Sequence, residues 1–265
     1  MRRTRRGFLG LILSAPVAVA GAACLGASGR ETVVTVNGGS PAPAETIAVA
    51  TDAKTGAPNV VQFTPTPPPS QLDPEDLHGF VLPIDGACLP SQDTLMPNSA
   101  RDYRNGVSEG VDFYFGDSCV VIERGTPVIA AYDGVVLRAD HQFQELLLEQ
   151  FAALEAQIEK DGAADDETMD KYRGRQVWID HGNGVITRYC HLNSISAEIA
   201  PGLRVSQGQM LGGIGESGTP ESVTAPGTQL HLHWEVRVDD GFLGEGQDPD
   251  SVRSLYQRLQ EPAEA

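Results

Sequence analysis

The chain has 265 residues, of which 40% are hydrophobic and 21% charged, enough for one ordinary hydrophobic core but hardly for two large domains. Its 36 acidic and 19 basic residues give a formal net charge of −17. Because so acidic a body repels phosphate backbones and anionic lipid headgroups, the composition excludes nucleic acid as a partner and allows membrane contact only through a leader or a lipid anchor.

Residues 1–24 have the features of an export signal. Four of the first six residues are arginines, and an apolar stretch rich in Leu, Val, Ala and Gly follows from Gly7 to Ala23. A basic start, a short apolar segment and small residues at its end are typical of a secretory signal rather than a membrane span. The pair Arg5-Arg6, followed by Gly-Phe-Leu, resembles a twin-arginine signal, with an ordinary secretory signal as the alternative. Removing the four arginine charges from −17 leaves −21 on the remaining chain.

The cysteines suggest two modifications that an exported protein can carry. Cys24 ends a run of small residues and resembles a lipoprotein cleavage site, where the cysteine would be lipidated; a buried or removed cysteine is the alternative. Oxidising compartments also permit disulfides. Cys88 and Cys119 lie in loop-like Gly/Asp/Ser contexts and are our candidate disulfide pair, which leaves Cys190 as a thiol.

The composition divides the rest of the chain into a tether and a folded domain. Residues 25–74 are rich in Ala, Thr, Pro, Ser and Gly, cannot bury enough apolar surface to fold, and are expected to form a disordered tether. Residues 77–259 are expected to form the domain.

The domain is predicted to be mostly β, with an antiparallel core. Short β-branched segments alternate with glycine turns, and they are residues 126–130, 134–138, 176–180, 185–189, 210–214 and 230–238. Helical spacing of apolar residues over 143–158 predicts a helical insertion at about 140–172, where ten acids face two bases. We interpret this insertion as a packing addition, with a substrate lid as the alternative. A short C-terminal helix is expected over 250–259.

Two histidines of one predicted strand share a face. In His231-Leu232-His233, alternation of strand side chains places both imidazoles on one side, about 7 Å apart, which suits a metal ligand beside a proton-transfer group. Further motifs precede this pair in order, and they are Gly110-Val-Asp112-Phe, Tyr189-Cys-His191-Leu, Val205-Ser-Gln-Gly208 and Gly215-Glu-Ser-Gly218.

In this order the motifs resemble the lysostaphin or LytM type of zinc metallopeptidases, which cut peptides of bacterial cell walls and have a duplicated hybrid motif fold. The resemblance spans residues 106–238. It implies a zinc cofactor held by Asp112 and His233, with His191 and His231 as catalytic residues beside the metal-bound water. Zinc lowers the pKa of bound water to about 7, and the resulting nucleophile attacks an amide carbonyl.

One position departs from the family pattern. The residues Ser108-Glu-Gly-Val-Asp112 fit the His-x-Gly-x-Asp arrangement of the family except that Ser108 replaces the first zinc-ligand histidine. A serine hydroxyl is a poor zinc ligand, and a catalytic zinc normally keeps three protein ligands. Glu109 is a conceivable substitute, but neighbouring residues of an extended segment face opposite sides.

Three functions follow from this departure. The favoured one is a degenerate, exported module that binds peptidoglycan or regulates another wall hydrolase. An active zinc metalloendopeptidase that hydrolyses peptidoglycan cross-links is the alternative, and a structural module without a wall role is the third. Because the body is acidic, the affinity of the groove for the wall is expected to come from hydrogen bonds and aromatic side chains.

Overall fold

The computed structural model describes residues 72–262. The predicted export signal at residues 1–24, Cys24 and the predicted tether up to residue 71 lie outside the described residues. Leu72 is already buried in the core, and its carbonyl accepts a hydrogen bond from the side chain of Asn183 (2.7 Å). The folded part therefore includes residues ahead of the predicted start at residue 77.

The described chain forms short strands connected by turns, with helices in one insertion and near the C-terminus. The strands are β1 (Ala100–Arg101), β2 (Gly106–Val107), β3 (Val111–Tyr114), β4 (Pro127–Ile129), β5 (Gly134–Ala139), β6 (Val177–Gly182), β7 (Val185–Cys190), β8 (Leu192–Ile195), β9 (Arg204–Val205), β10 (Met210–Ile214), β11 (His231–Val238) and β12 (Gly241–Phe242). The α-helices are α1 (Leu148–Asp161), α2 (Asp166–Arg173), α3 (Glu221–Thr224) and α4 (Pro249–Arg258).

The strands assemble into one large sheet and two small ones. The large sheet has seven strands in the order β12-β11-β7-β6-β5-β9, with β3 also paired to β11. A three-stranded sheet has the order β4-β10-β8, and β1 pairs with β2. Every strand pairing within residues 72–262 is antiparallel. The predicted mostly antiparallel β fold is therefore confirmed.

One hydrophobic core includes side chains from both larger sheets and from α4. Ile179 of β6, Leu211 of β10 and Trp234 of β11 are fully buried in it. The Trp234 ring meets the ring of Tyr256 in α4 edge to face, with centroids 5.9 Å apart. Because strand side chains alternate, the burial of Trp234 in this core directs the histidines of β11 to the opposite face.

The helical insertion contains two helices rather than the single one expected over 143–158. The first, α1, begins at Leu148, because the Gln150 side chain accepts a hydrogen bond from the Leu147 backbone N–H (2.8 Å) at the helix start. Gly162, with φ 88°, ends α1. Apolar side chains of both helices form a small core of their own, and they are Phe151, Leu154, Ile158 and Tyr172.

Three further features concern the ends and links of the domain. Cys88 and Cys119 form a disulfide, whereas Cys190 is a buried free thiol. The helix α4 has Pro249 in its first turn and is capped by Asp248, whose carboxylate accepts the backbone N–H of Ser251 (3.1 Å). None of the helices in residues 72–262 is long and apolar enough to span a membrane.

Candidate functional site

The pairing of β3 with β11 brings Asp112 and His233 together. The two residues are direct cross-strand neighbours in the antiparallel register. Their side chains meet, with Nδ1 of His233 2.6 Å from Oδ1 of Asp112. The sequence placed these residues 121 positions apart, and the register of the sheet makes them a pair.

The other two predicted catalytic histidines lie beside this pair. The His231 ring stacks on Tyr114 at a centroid distance of 4.3 Å, and its Nδ1 lies 2.7 Å from the carbonyl of Gln229. His191 follows β7 with φ 60°, a left-handed conformation that costs most residues about 1–2 kcal/mol. Its ring centroid lies 4.5 Å from that of His231 and 5.9 Å from that of His233. Asp112, His191, His231 and His233 therefore converge.

Ser108 lies at the same site but makes a purely local contact. It is 1% exposed, and its hydroxyl donates a hydrogen bond to the carbonyl of Gly110 (3.1 Å). The next residue, Glu109, points into a cluster of arginines and accepts hydrogen bonds from Arg173 (2.7 Å) and Arg237. Glu109 is thus committed to other partners and does not take the place of the missing histidine.

Arg101 is a site residue that sequence reasoning missed. Its NH2 group donates to Oδ2 of Asp112 (2.6 Å), on the carboxylate oxygen that His233 leaves free. The same guanidinium also donates to the Ser99 hydroxyl (2.8 Å) and the Thr94 carbonyl (3.2 Å). Arg101 lies in a two-residue strand outside the expected motifs, and only the hairpin formed by β1 and β2 aims it at Asp112.

These side chains face a cavity of about 720 Å³. Residues from the histidine site line it, and they are Arg101, Ser108, Asp112, His191, His231 and His233. Residues from the insertion line it as well, and they are Glu155, Met169, Tyr172 and Arg173. The insertion is therefore part of the wall of the site as well as a packing addition.

Comparison of the sequence with models of known protein families identifies the family of this chain. The model of peptidase family M23 matches residues 108–249, more than half of the chain, beginning at Ser108. The chain belongs to peptidase family M23. The resemblance to lysostaphin- and LytM-type peptidases is thereby confirmed at the level of the family.

Individual relatives match shorter parts of the M23 domain. Peptidoglycan DD-endopeptidase ShyC of Vibrio cholerae is 37% identical over 79 residues, 30% of this chain and 16% of that protein. Peptidoglycan DD-endopeptidase ShyA of the same organism is 45% identical over 67 residues, 25% of this chain and 14% of that protein. The chain thus spans about one sixth or less of the length of these relatives. A solved zinc-containing peptidase from Vibrio cholerae is 22% identical, covering 63% of this chain and 39% of that one, with a TM-score of 0.40.

The donor set of this M23 domain does not fit the zinc that the family implies. Both carboxylate oxygens of Asp112 are engaged, one by His233 and one by Arg101. Both ring nitrogens of His233 face carboxylates, at 2.6 Å from Asp112 and 3.4 Å from Glu235. Within residues 72–262, no three His, Cys, Asp or Glu side chains are grouped so that they could hold a metal ion. The guanidinium of Arg101 therefore occupies a carboxylate oxygen of Asp112 that a zinc ion would need as a free ligand atom.

Burial and charge set the protonation of the site. Burial alone would raise the pKa of Asp112, but the charge and hydrogen bond of His233 hold it below its usual range, helped by His231 and Arg101. Burial would lower the pKa of His233, but the carboxylates of Asp112 and Glu235 raise it to about 9. Burial lowers the pKa of His231, and burial and the neighbouring imidazoles lower that of His191. At neutral pH the site therefore holds one cationic and two neutral imidazoles.

A buried cluster of charged side chains contacts His233 on the side away from Asp112. Its centre is Glu235, which is 0% exposed and accepts hydrogen bonds from Arg173 (2.5 Å) and Arg188 (3.2 Å). Burial would raise the pKa of Glu235, but these arginines and His233 hold it well below its usual range. Because Arg173 ends α2, this cluster also fixes the insertion to the site.

Proposed function

We propose that this M23 domain is an exported module that binds peptidoglycan, or regulates another wall hydrolase, without hydrolysing the wall itself. The observation that supports this proposal is the guanidinium of Arg101 on Asp112, 2.6 Å from the oxygen that a metal ion would need. Ser108 stands where the family pattern has a ligand histidine. Its hydroxyl is a weak metal ligand and donates its hydrogen bond to the Gly110 carbonyl.

The substrate class comes from the relatives. The two Vibrio cholerae relatives described above are named peptidoglycan DD-endopeptidases. The cavity volume of about 720 Å³ lies within the range of small-ligand sites and suits a short peptide. A domain that keeps this cavity and loses the metal retains a means of binding wall peptides without the nucleophile that cuts them.

The predicted leader and the disulfide support an extracytoplasmic location. An export signal at residues 1–24 would bring the chain to the cell envelope, where peptidoglycan is accessible, and Cys24 could anchor it there if lipidated. The Cys88–Cys119 disulfide suits an oxidising extracytoplasmic compartment. The predicted tether would hold the domain at a distance from the membrane.

Zinc content, wall cleavage and wall binding test this proposal together. The purified chain is expected to contain no zinc, to release no muropeptides from sacculi and to sediment with sacculi. About one zinc per chain together with chelator-sensitive muropeptide release would establish the active metalloendopeptidase instead. Failure to sediment with sacculi would remove the binding function.

Substitutions of Ser108 and Arg101 test how much each residue lowers the affinity of the site for zinc. Ser108→His alone should gain little zinc, because Arg101 still occupies Asp112. Arg101→Ala alone leaves only two of the three family ligands. The double variant is expected to bind zinc at least about 100-fold more tightly than either single variant, since it restores the third ligand and removes a competing cation. Equal zinc affinity in the Ser108→His and double variants would show that Arg101 does not block the site.

A further inference from the structure

The charge cluster at the cavity contains more guanidinium groups than carboxylates. Five arginines are linked by ion pairs, and they are Arg101, Arg104, Arg173, Arg188 and Arg237. Three carboxylates pair with them, and they are Glu109, Asp112 and Glu235. With the protonated His233 on Asp112 and Glu235, six cations face three carboxylates, so the cluster has a surplus of three positive charges inside a chain whose net charge is −17. Buried charge without a counter-charge is costly, so the surplus indicates a site for an anion.

Four of the five arginines have strong partners. Arg101 is bonded to Asp112, and Arg173 to both Glu109 and Glu235. The Arg188 guanidinium lies 4.0 Å from the centroid of Trp178, and Arg237 pairs with Glu109. Arg188 shares with Arg104 an Nε without a hydrogen-bond partner among residues 72–262 and a pKa lowered by burial, but its guanidinium also pairs with Glu235 at 3.2 Å and does not line the cavity.

Arg104 is the exception. It is 5% exposed, its Nε has no hydrogen-bond partner among residues 72–262, and its NH1 group donates to the sulfur of Met169 (2.7 Å), a weak acceptor. The nearest carboxylate oxygen, Oε1 of Glu109, lies 3.7 Å from its NH1 group, and the other oxygen of that carboxylate accepts hydrogen bonds from Arg173 and Arg237. Burial accordingly lowers the pKa of Arg104 despite the nearby Tyr103 and Glu109.

Arg104 also lines the cavity of the histidine site. The insertion holds it there, since the backbone carbonyl of Arg104 accepts the N–H of Ala164 (3.1 Å). Beside it, Met169 and Tyr172 supply apolar surface on the same wall. Two further carboxylates, Glu155 and Glu221, line the cavity; Glu155 is exposed and Glu221 half-buried, so they disfavour a multiply charged anion more than a single carboxylate.

We propose that the cavity binds a peptide through a free carboxylate that pairs with the guanidinium of Arg104. This inference rests on the proposed function and specifies its ligand: a wall stem peptide recognised by its terminal carboxylate, not by an uncharged segment of a cross-link. An arginine fork matches a carboxylate in plane and spacing, and such charge-assisted pairs are stronger than neutral hydrogen bonds.

The test compares a soluble stem pentapeptide ending in D-alanyl-D-alanine with the same peptide as its C-terminal amide, by calorimetric titration of the full chain. The free acid is expected to bind about tenfold or more tightly than the amide. Equal affinity of the two peptides would overturn the inference. Because this comparison uses the unaltered protein, it does not depend on the folding of a variant.

Arg104→Gln should abolish the preference for the free acid. Arg237→Gln is the matched control: it removes one charge from the same cluster at a position that does not line the cavity, and should keep the preference. Retention of the preference in Arg104→Gln, with native circular dichroism, would overturn the assignment. Binding to sacculi separates this inference from the proposed function. If sacculi bind while acid and amide are equal, only the carboxylate assignment fails; if neither sacculi nor peptide binds, both fail.

Discussion

Substituting Glu235 by Gln should remove the charge that holds the arginine cluster together. The carboxylate is fully buried and faces Arg173 at 2.5 Å, Arg188 at 3.2 Å and the His233 ring at 3.4 Å. Glutamine keeps the shape and one acceptor oxygen but leaves Arg188 without a carboxylate partner among residues 72–262, and it leaves Arg173 paired only with Glu109 and His233 only with Asp112. Breaking a buried pair by removing one partner costs about 3–5 kcal/mol of unfolding free energy. For a domain of this size that corresponds to a fall in Tm of roughly 10 °C.

Chemical denaturation followed by tryptophan fluorescence measures the change. Glu155→Gln is a suitable control because Glu155 is exposed, and its unfolding free energy should change by less than about 0.5 kcal/mol. The difference between the Glu235→Gln variant and the unaltered protein should also shrink at acidic pH. The pKa of Glu235 is lowered on folding, so its contribution is complete above its unfolded pKa of about 4.3 and is lost as the pH falls towards its folded value. A loss below about 1 kcal/mol at neutral pH would refute the view that Glu235 neutralises this cluster.

Two other predictions concern stability away from the cavity. Burial lowers the pKa of His181 from 6.5 to about 4, so the unfolded chain takes up this proton first and unfolding free energy should fall by about 2 kcal/mol between pH 7 and pH 5. The pH dependence in His181→Gln should be shallower by that amount, and an unchanged slope would contradict the prediction. The Cys88–Cys119 disulfide closes a sequence separation of 31 residues, so the double serine variant should lose about 3–4 kcal/mol in denaturant titrations. A midpoint equal to that of the unaltered protein would contradict this.

The strands and the histidine site were predictable because each depends on short-range pattern. The expected strand over 210–214 matches β10, since glycine turns bound it on both sides, and that over 230–238 matches β11 within one residue. Alternation along β11 correctly placed His231 and His233 on one face. The family motifs then supplied Asp112 and His191, which the antiparallel register brings to the same point.

The arginines were not predictable, because no periodicity or spacing marks them. Arg101 and Arg104 belong to a short hairpin whose place is set by contacts with α1, α2 and Asp112. The start of the first helix of the insertion was also missed, because apolar spacing continues across residues 143–147 although the cap at Leu147 starts the helix later. We expected the groove to bind the wall through hydrogen bonds and aromatic side chains. This expectation did not include the guanidinium groups that line the cavity.

The pairing of Arg101 with Asp112 means that the cation of this site belongs to the polypeptide. A guanidinium group stays protonated throughout the physiological pH range and cannot be removed by a chelator or exchanged for another ion. The positive charge that Arg101 brings to Asp112 is therefore in place as soon as the chain has folded. For the wall-binding module proposed above, this means that no metallation step would be needed before the site is ready.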